Sequence, residues 1–127
     1  MIFKKKHLEK RAFERENCYC LIRYKILDEK GTFSTVITSL RNISGGGLLL
    51  KFKEPHLLGA RVEIKINLPI PDDSVISAVA EIVRIKTYDK AKEYWAGVKF
   101  VDINEEDRKK IIDFIKFIKN TKNGAKP

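Results

Sequence analysis

Two short fragments contain the residues whose types and spacing are best suited to chemistry. The first is RAFER at residues 11–15, and the second is NISGGG at residues 42–47. Arginine presents a planar fork of donors that fits a phosphate group or the edge of a guanine base. The second fragment offers small polar side chains and a backbone that a ligand can approach closely. With the alternating strands that follow, the two fragments indicate a receptor for an anionic guanine nucleotide rather than an enzyme.

The spacing of the two arginines limits what they can hold. In an extended chain Arg11 and Arg15 lie ~13–14 Å apart, which is too far for both to contact one phosphate. They can contact two parts of a larger ligand, or converge if the segment curls. No packed core is obvious in this segment, so we expect a flexible basic arm that orders around an anion. The alternative is a pair of exposed arginines with Glu9 and Glu14 as local partners.

The second fragment is more constrained. Asn42 and Ser44 stand two residues apart and therefore point to the same side of an extended chain. Ser44 can donate or accept a hydrogen bond, and the Asn42 amide can do both. The structural alternative is a corner between two strands, in which Asn42 starts a turn. Both interpretations are compatible, because a corner with exposed backbone N–H groups can also hold an anion.

Composition sets the broad class of the protein. The chain has 127 residues, 43% of them hydrophobic, which predicts one globular domain. The formal net charge of +9 suggests an acidic ligand or partner. No apolar run reaches the ~18 residues of a spanning helix, and no signal-peptide core follows the basic N-terminus. We therefore expect a cytoplasmic protein that does not insert into a membrane.

Residues able to support metal or nucleophilic chemistry are few. Cys18 and Cys20 are the two cysteines, and at this spacing they rarely form a disulfide. We expect both to be reduced strand residues, too few for a zinc site. His7 and His56 lie beside no nucleophile or carboxylate cluster. Neither catalysis nor a cofactor is therefore expected.

The elements that must position the two fragments are mostly strands. Residues 61–68 alternate apolar and polar side chains, as in an antiparallel strand with one buried face. Short strands separated by turn signals predict a mainly β sandwich or small barrel. The predicted strands are residues 17–27, 33–41, 48–52, 61–68, 75–87 and 95–101.

One helix is predicted after the strands, over residues 104–119. Asn104 is a favourable N-cap, and acidic residues follow it at the positive end of the helix dipole. An apolar stripe lies along one helix face. It predicts packing over the sheet, the alternative being a second apolar surface for a partner or a dimer contact. The stripe consists of Ile111, Phe114, Ile115 and Ile118, widened by Ile112 and Phe117.

The two fragments resemble the motifs of the PilZ family of cyclic-di-GMP receptors. The family's R-x-x-x-R matches Arg11 and Arg15, and its [D/N]-x-S-x-x-G matches Asn42, Ser44 and Gly47. The space between the motifs accommodates one hairpin, as the family requires. Asn42 stands where many members carry Asp, which is a variant within the pattern.

The resemblance extends over roughly residues 8–119 and includes WAGVKF at 95–100, which is similar to the family's closing strand. It implies an all-β or mainly β fold, a six-stranded antiparallel split β-barrel with a C-terminal α-helix. The expected single domain consists of a flexible basic arm, the barrel, the helix and a disordered tail. These parts are assigned to residues 1–16, 17–102, 104–119 and 120–127.

The resemblance also implies roles for individual residues. Arg11 and Arg15 are expected to clamp phosphate and the Hoogsteen edge of guanine, whose O6 and N7 match an arginine fork. Lys10 stands where some members place another arginine, and it can meet a phosphate only as a point charge. Trp95 either lines the site as a flat surface for guanine or packs within the barrel. The expected ligand-binding residues are Lys10, Arg11, Arg15, Asn42, Ser44, Gly46, Gly47 and Trp95.

The function implied is that of a receptor without catalytic activity. Cyclic-di-GMP would be its ligand, and it would signal through a protein partner whose identity the sequence does not reveal. An alternative is a small basic β-barrel that binds RNA or single-stranded DNA, as the positive charge permits. Nucleic acid is disfavoured as a partner, because exposed aromatic residues at strand centres are few.

Overall fold

The residues that the structure describes form six β-strands and one long helix. The structure, a computed structural model, describes residues 18–27, 29–69, 75–88 and 90–124. All six predicted strands are present, which confirms the mainly β class. The strands are β1 (Tyr19–Ile26), β2 (Ser34–Ser39), β3 (Gly47–Phe52), β4 (Arg61–Asn67), β5 (Val75–Tyr88) and β6 (Glu93–Ile103), and the helix is α1 (Glu105–Gly124).

The strands form one antiparallel sheet in the order β2-β1-β4-β5-β6-β3. A single 3₁₀ turn, Leu40–Asn42, leads from edge strand β2 towards edge strand β3. The sheet curls so that these two edges approach each other, giving the predicted six-stranded barrel, nearly closed. Near closure leaves little unpaired sheet edge in contact with solvent.

The barrel interior is aliphatic. In β4, Val62, Ile64 and Ile66 are fully buried, whereas Glu63 and Lys65 between them are partly exposed. Burying an aliphatic side chain of this size contributes roughly 1.5–3 kcal/mol, so the alternation fixes which face turns inward. The largest fully buried side chains are Ile22, Leu40, Ile43, Leu50, Ile64, Ile66, Ile76, Ile82, Ile111 and Val62.

Helix α1 begins where the sequence predicts. The Asn104 side-chain Oδ1 accepts a hydrogen bond from the Glu106 N–H at 2.8 Å, which is the expected N-cap. Ile111 and Ile118 are buried in the barrel core, whereas Phe117 is 59% exposed. The packed stripe is therefore narrower than the apolar face of the helix.

Helix α1 is longer at its C-terminal end than the sequence predicts. It ends at Gly124 rather than at residue 119, so residues 120–124 of the predicted disordered tail continue the helix. No proline lies between the start of the helix at Glu105 and Pro127, and glycine is a common residue at a helix end. Among the described residues, no helix combines the length and the apolar character needed to cross a membrane.

Candidate functional site

The glycine-rich corner between β2 and β3 is held by hydrogen bonds within the loop. The Ser44 N–H donates to the Gly47 carbonyl at 2.9 Å, and the Ser44 hydroxyl donates to the same oxygen at 3.3 Å. The Gly46 N–H in turn donates to Ser44 Oγ at 3.2 Å. The N–H groups of Ser44 and Gly46 are therefore engaged within the loop rather than open to an anion. The hydrogen bonds of Ser44 thus stabilise the corner. Its hydroxyl oxygen can still accept a further hydrogen bond from a ligand.

The glycines of the corner have different surroundings. A Cβ on Gly47 would overlap the carbonyl oxygen of Val98, so this position must be glycine for β3 to pair closely with β6. A Cβ on Gly46 would meet only Ser44 Oγ, at 3.9 Å. Gly46 is exposed, and its open side faces the space beside the corner. Gly47 thus serves the fold, whereas Gly46 leaves room at the surface.

The outer face of strands β3, β6 and β5 continues from this corner. Gly97 of β6 lies between Leu49 of β3 and Arg84 of β5. Trp95, two residues before Gly97 in β6, lies between Lys51 of β3 and Lys86 of β5. Because alternate residues of a strand share a face, the two rows form one surface.

A β-bulge in β5 puts Arg84 and Lys86 on that surface. Ile82 pairs with Val98, but the next pair is Arg84 with Gly97, so Val83 is an extra residue in β5. Uninterrupted alternation from the buried Ile82 would have turned Arg84 and Lys86 into the barrel. Bulges commonly redirect side chains in this way near functional sites. A regular alternation over residues 75–87 does not predict either cation on this surface, although the adjacent apolar pair Ile82-Val83 already interrupts that alternation.

Trp95 lies on the outer face and is partly exposed, so it does not belong to the barrel core. Its indole Nε1 donates to Glu93 Oε1 at 3.1 Å, and Lys51 Nζ contacts Glu93 Oε2 at 3.2 Å. The hydrogen bond from Trp95, and then that from Lys51, lower the pKa of the Glu93 carboxyl below its ordinary value. The ionised Glu93 therefore fixes the orientation of the indole ring.

Two adjoining cavities open on this surface, with volumes of about 790 and 580 Å³. Both fall within the roughly 300–1,000 Å³ typical of ligand sites. The larger cavity includes the corner, and the smaller includes Trp95. They share four lining residues and form one continuous depression, which we call the cleft. The shared residues are Asn42, Leu49, Arg84 and Gly97.

The cleft is positively charged. Arg41, Arg84, Lys86 and Lys99 line it with exposed side chains. Within the part of the chain that the structure describes, none of the four forms an ion pair with a carboxylate. Lys86 Nζ lies 5.4 Å from the centre of the Tyr88 ring. Unpaired cations around a concave surface favour an anionic ligand.

The two cysteines have no visible role in this cleft. Neither forms a disulfide, and Cys20 is buried in the core. Burial raises the pKa of the Cys20 thiol to about 12 and also raises the pKa of Cys18. A high pKa keeps a thiol protonated and unreactive at neutral pH. The described residues contain no cluster of three or more side chains suited to a metal ion.

The structure brings together five of the eight predicted site residues. Asn42, Ser44, Gly46 and Gly47 lie at the corner, and Trp95 lies at the other end of the cleft. The remaining three lie outside the described residues, and their roles stay predictions. They are Lys10, Arg11 and Arg15. Sequence reasoning missed Arg41, Arg84, Lys86, Tyr88 and Lys99.

The fold and the cleft define a small antiparallel β-barrel domain with a positively charged depression on its outer face. Over residues 9–117 the sequence matches the PilZ domain, and the chain belongs to this family of cyclic-di-GMP receptor domains.

Among solved structures, the chain is similar to the Bacillus subtilis inhibitor of motility, MotI/DgrA. The TM-score is 0.58 and the sequence identity is 14%, with 86% of this chain and 49% of that chain covered. The chain thus spans about half the length of that protein, and the likeness supports the fold. No curated protein matches the chain.

Proposed function

We propose that this protein is a cyclic-di-GMP receptor that binds the nucleotide in the cleft. The observation that carries the proposal is the position of the NISGGG corner on the same surface as Arg84 and Trp95. Cyclic-di-GMP has two phosphodiesters and two guanines. The unpaired cations suit its phosphates, and an arginine fork suits the O6 and N7 acceptors of guanine.

The N-terminal arm, residues 1–16, is proposed to complete the site. The Leu40 N–H donates to the Cys18 carbonyl at 2.8 Å, so Cys18 lies next to the turn that precedes the corner. Arg15 is three residues from Cys18 and can lie at most ~11 Å from it. Arg11 is seven residues away, with a limit of ~25 Å. Chain length therefore allows both arginines, with Lys10, to reach the cleft.

Ordering of the arm on the nucleotide would provide the signal. A ligand shifts a conformational equilibrium only through contacts made in one of its states. Contacts between the arm and bound nucleotide meet this condition, because they exist only in the liganded state. The changed surface would be recognised by a protein partner, and we propose that the receptor works in the cytoplasm without a cofactor or catalytic step.

Calorimetric titration with cyclic-di-GMP tests the proposal. Replacing Arg11 or Arg15 by Ala should weaken binding at least about tenfold, since each change removes hydrogen bonds to a charged group. Arg61→Ala is the matched control, because Arg61 lies on β4 outside the cleft and pairs only loosely with Glu81, at 3.8 Å. Wild-type protein that produces no binding heat would overturn the proposed function. Unchanged affinity in both arm variants would overturn the role of the arm.

A further inference from the structure

We propose that the smaller cavity of the cleft is a stacking subsite for one purine base of the bound nucleotide, formed by Trp95, Tyr88 and Lys86. This inference rests on the proposed function and adds Tyr88 and Lys86 to Trp95, for which the family resemblance already implied a place in the site. The other base and the phosphates are left to the larger cavity beside the corner.

Strand register places the two aromatic side chains together. Lys86 pairs with Trp95 across β5 and β6, and Tyr88 pairs with Glu93. Tyr88 and Trp95 are therefore diagonal neighbours on one face of the ribbon. Such neighbours are about 7–8 Å apart, which is within reach of aromatic side chains and leaves space for a flat ring against either of them. Both residues line the 580 Å³ cavity.

Both rings are available to a ligand. Tyr88 is 43% exposed, and Trp95 is partly exposed. Within the described residues, Trp95 makes no ring contact with another aromatic side chain. Its hydrogen bond to Glu93 holds the ring by the Nε1 edge and so does not itself cover a face. A ring already held in place loses little conformational entropy when a base stacks on it.

The charge around the rings selects for a nucleotide rather than a neutral aromatic ligand. Lys86 lies opposite Trp95 and near the Tyr88 ring, and Arg84 lines the boundary with the larger cavity. The nearby carboxylate of Glu93 is already paired with Lys51. Aromatic faces combined with unpaired cations are the usual arrangement for binding bases and their phosphates.

The length of the cleft indicates a ligand with two bases. Gly47 at the corner pairs with Lys99, and Trp95 stands four residues earlier in β6. Four residues of a strand span ~13–14 Å. A ligand that occupies both ends must therefore be longer than one base. A cyclic dinucleotide meets this requirement, because its two bases can occupy the two ends of the cleft. Arg84 would then lie between the two bases.

Tyr88 variants test the subsite by two independent readouts. Cyclic-di-GMP is titrated into wild-type protein and into Tyr88→Ala, Tyr88→Phe and Tyr19→Ala, with binding followed by calorimetry. Tyr19 is the matched control because it is an exposed tyrosine on β1, outside the cleft. The second readout is the fluorescence of Trp95, which is the single tryptophan of the chain.

We expect Tyr88→Ala to weaken binding about tenfold, a typical effect of removing one base-stacking ring. Tyr88→Phe and Tyr19→Ala should bind as the wild type does, and cyclic-di-GMP should quench Trp95 fluorescence. Absence of binding to the wild type would overturn the proposed function, and the subsite with it. Wild-type binding that leaves Trp95 fluorescence unchanged, or that Tyr88→Ala does not weaken, would overturn the subsite alone.

Discussion

Neighbouring glycines at the corner have separate physical roles. Gly47 lies where β3 approaches β6 most closely, and the Val98 carbonyl occupies the space that a Cβ would need. Gly46 faces open space in the larger cavity. Substitutions at the two positions should therefore separate an effect on stability from an effect on ligand binding.

Gly47→Ala should lower the free energy of unfolding by about 1–3 kcal/mol, as overpacking does, because backbone atoms must move to relieve the overlap. Gly46→Ala should retain the wild-type melting temperature to within a few degrees and weaken cyclic-di-GMP binding, because its methyl group enters the cleft. Thermal denaturation followed by circular dichroism, with calorimetric titration, measures both effects. Equal loss of stability in the two variants would contradict this division of roles.

Helix α1 supports the corner as well as covering the barrel. Arg108 Nη1 donates to the Gly45 carbonyl at 2.6 Å, which joins the first turns of the helix to the middle of the NISGGG fragment. The Ile112 side chain lies on the same side of Gly45, so close that a Cβ there would approach it to 2.8 Å. The position of the corner therefore depends on an element more than sixty residues later in the chain.

Arg108→Gln should lower the free energy of unfolding by roughly 1–2 kcal/mol, because a charge-assisted hydrogen bond to the corner is lost. The same change should weaken cyclic-di-GMP binding, since the corner would be held less firmly. Lys109→Gln is the matched control on the next helix position, where the exposed side chain pairs only with Asp113. Denaturant unfolding and calorimetry measure the two effects. An Arg108 variant as stable as the control would contradict a supporting role for the helix.

At the scale of the whole molecule, the net charge of +9 permits a second class of ligand. Nucleic acid was disfavoured because exposed aromatic residues at strand centres are few, but Trp95 and Tyr88 lie beside unpaired cations near the strand ends. A surface of this kind can also bind single-stranded nucleic acid. The salt dependence of the binding affinity distinguishes the two ligands, because each phosphate contact makes the affinity fall more steeply as the salt concentration rises.

We expect cyclic-di-GMP, with two phosphates, to lose about tenfold or less in affinity between roughly 50 and 200 mM salt. An RNA or DNA strand bound through six or more phosphate contacts would lose about a thousandfold over that range. Fluorescence titrations of Trp95 with cyclic-di-GMP and with a short single-stranded oligonucleotide measure both slopes. Tighter binding of the oligonucleotide near physiological salt, with the steep slope, would favour a nucleic-acid-binding barrel over the nucleotide receptor.

Local patterns in the sequence were sufficient to predict the elements. The alternation in residues 61–68 predicts β4 and its buried face, and Asn104 predicts the start of α1. These features depend on neighbours in the chain, because side-chain periodicity and helix capping arise within a few residues. The family motifs added the barrel topology, which periodicity alone left open between a sandwich and a barrel.

The composition of the cleft was decided by tertiary structure. The bulge at Val83 arises from pairing between β5 and β6, and it turns Arg84 and Lys86 outward against the simple alternation. The ion pair between Glu93 and Lys51 depends on β3 pairing with β6, far from its neighbour in the sequence, β2, in the sheet order. Strand register and partner choice depend on residues far apart in the chain, and a local pattern carries no information about which strands will meet.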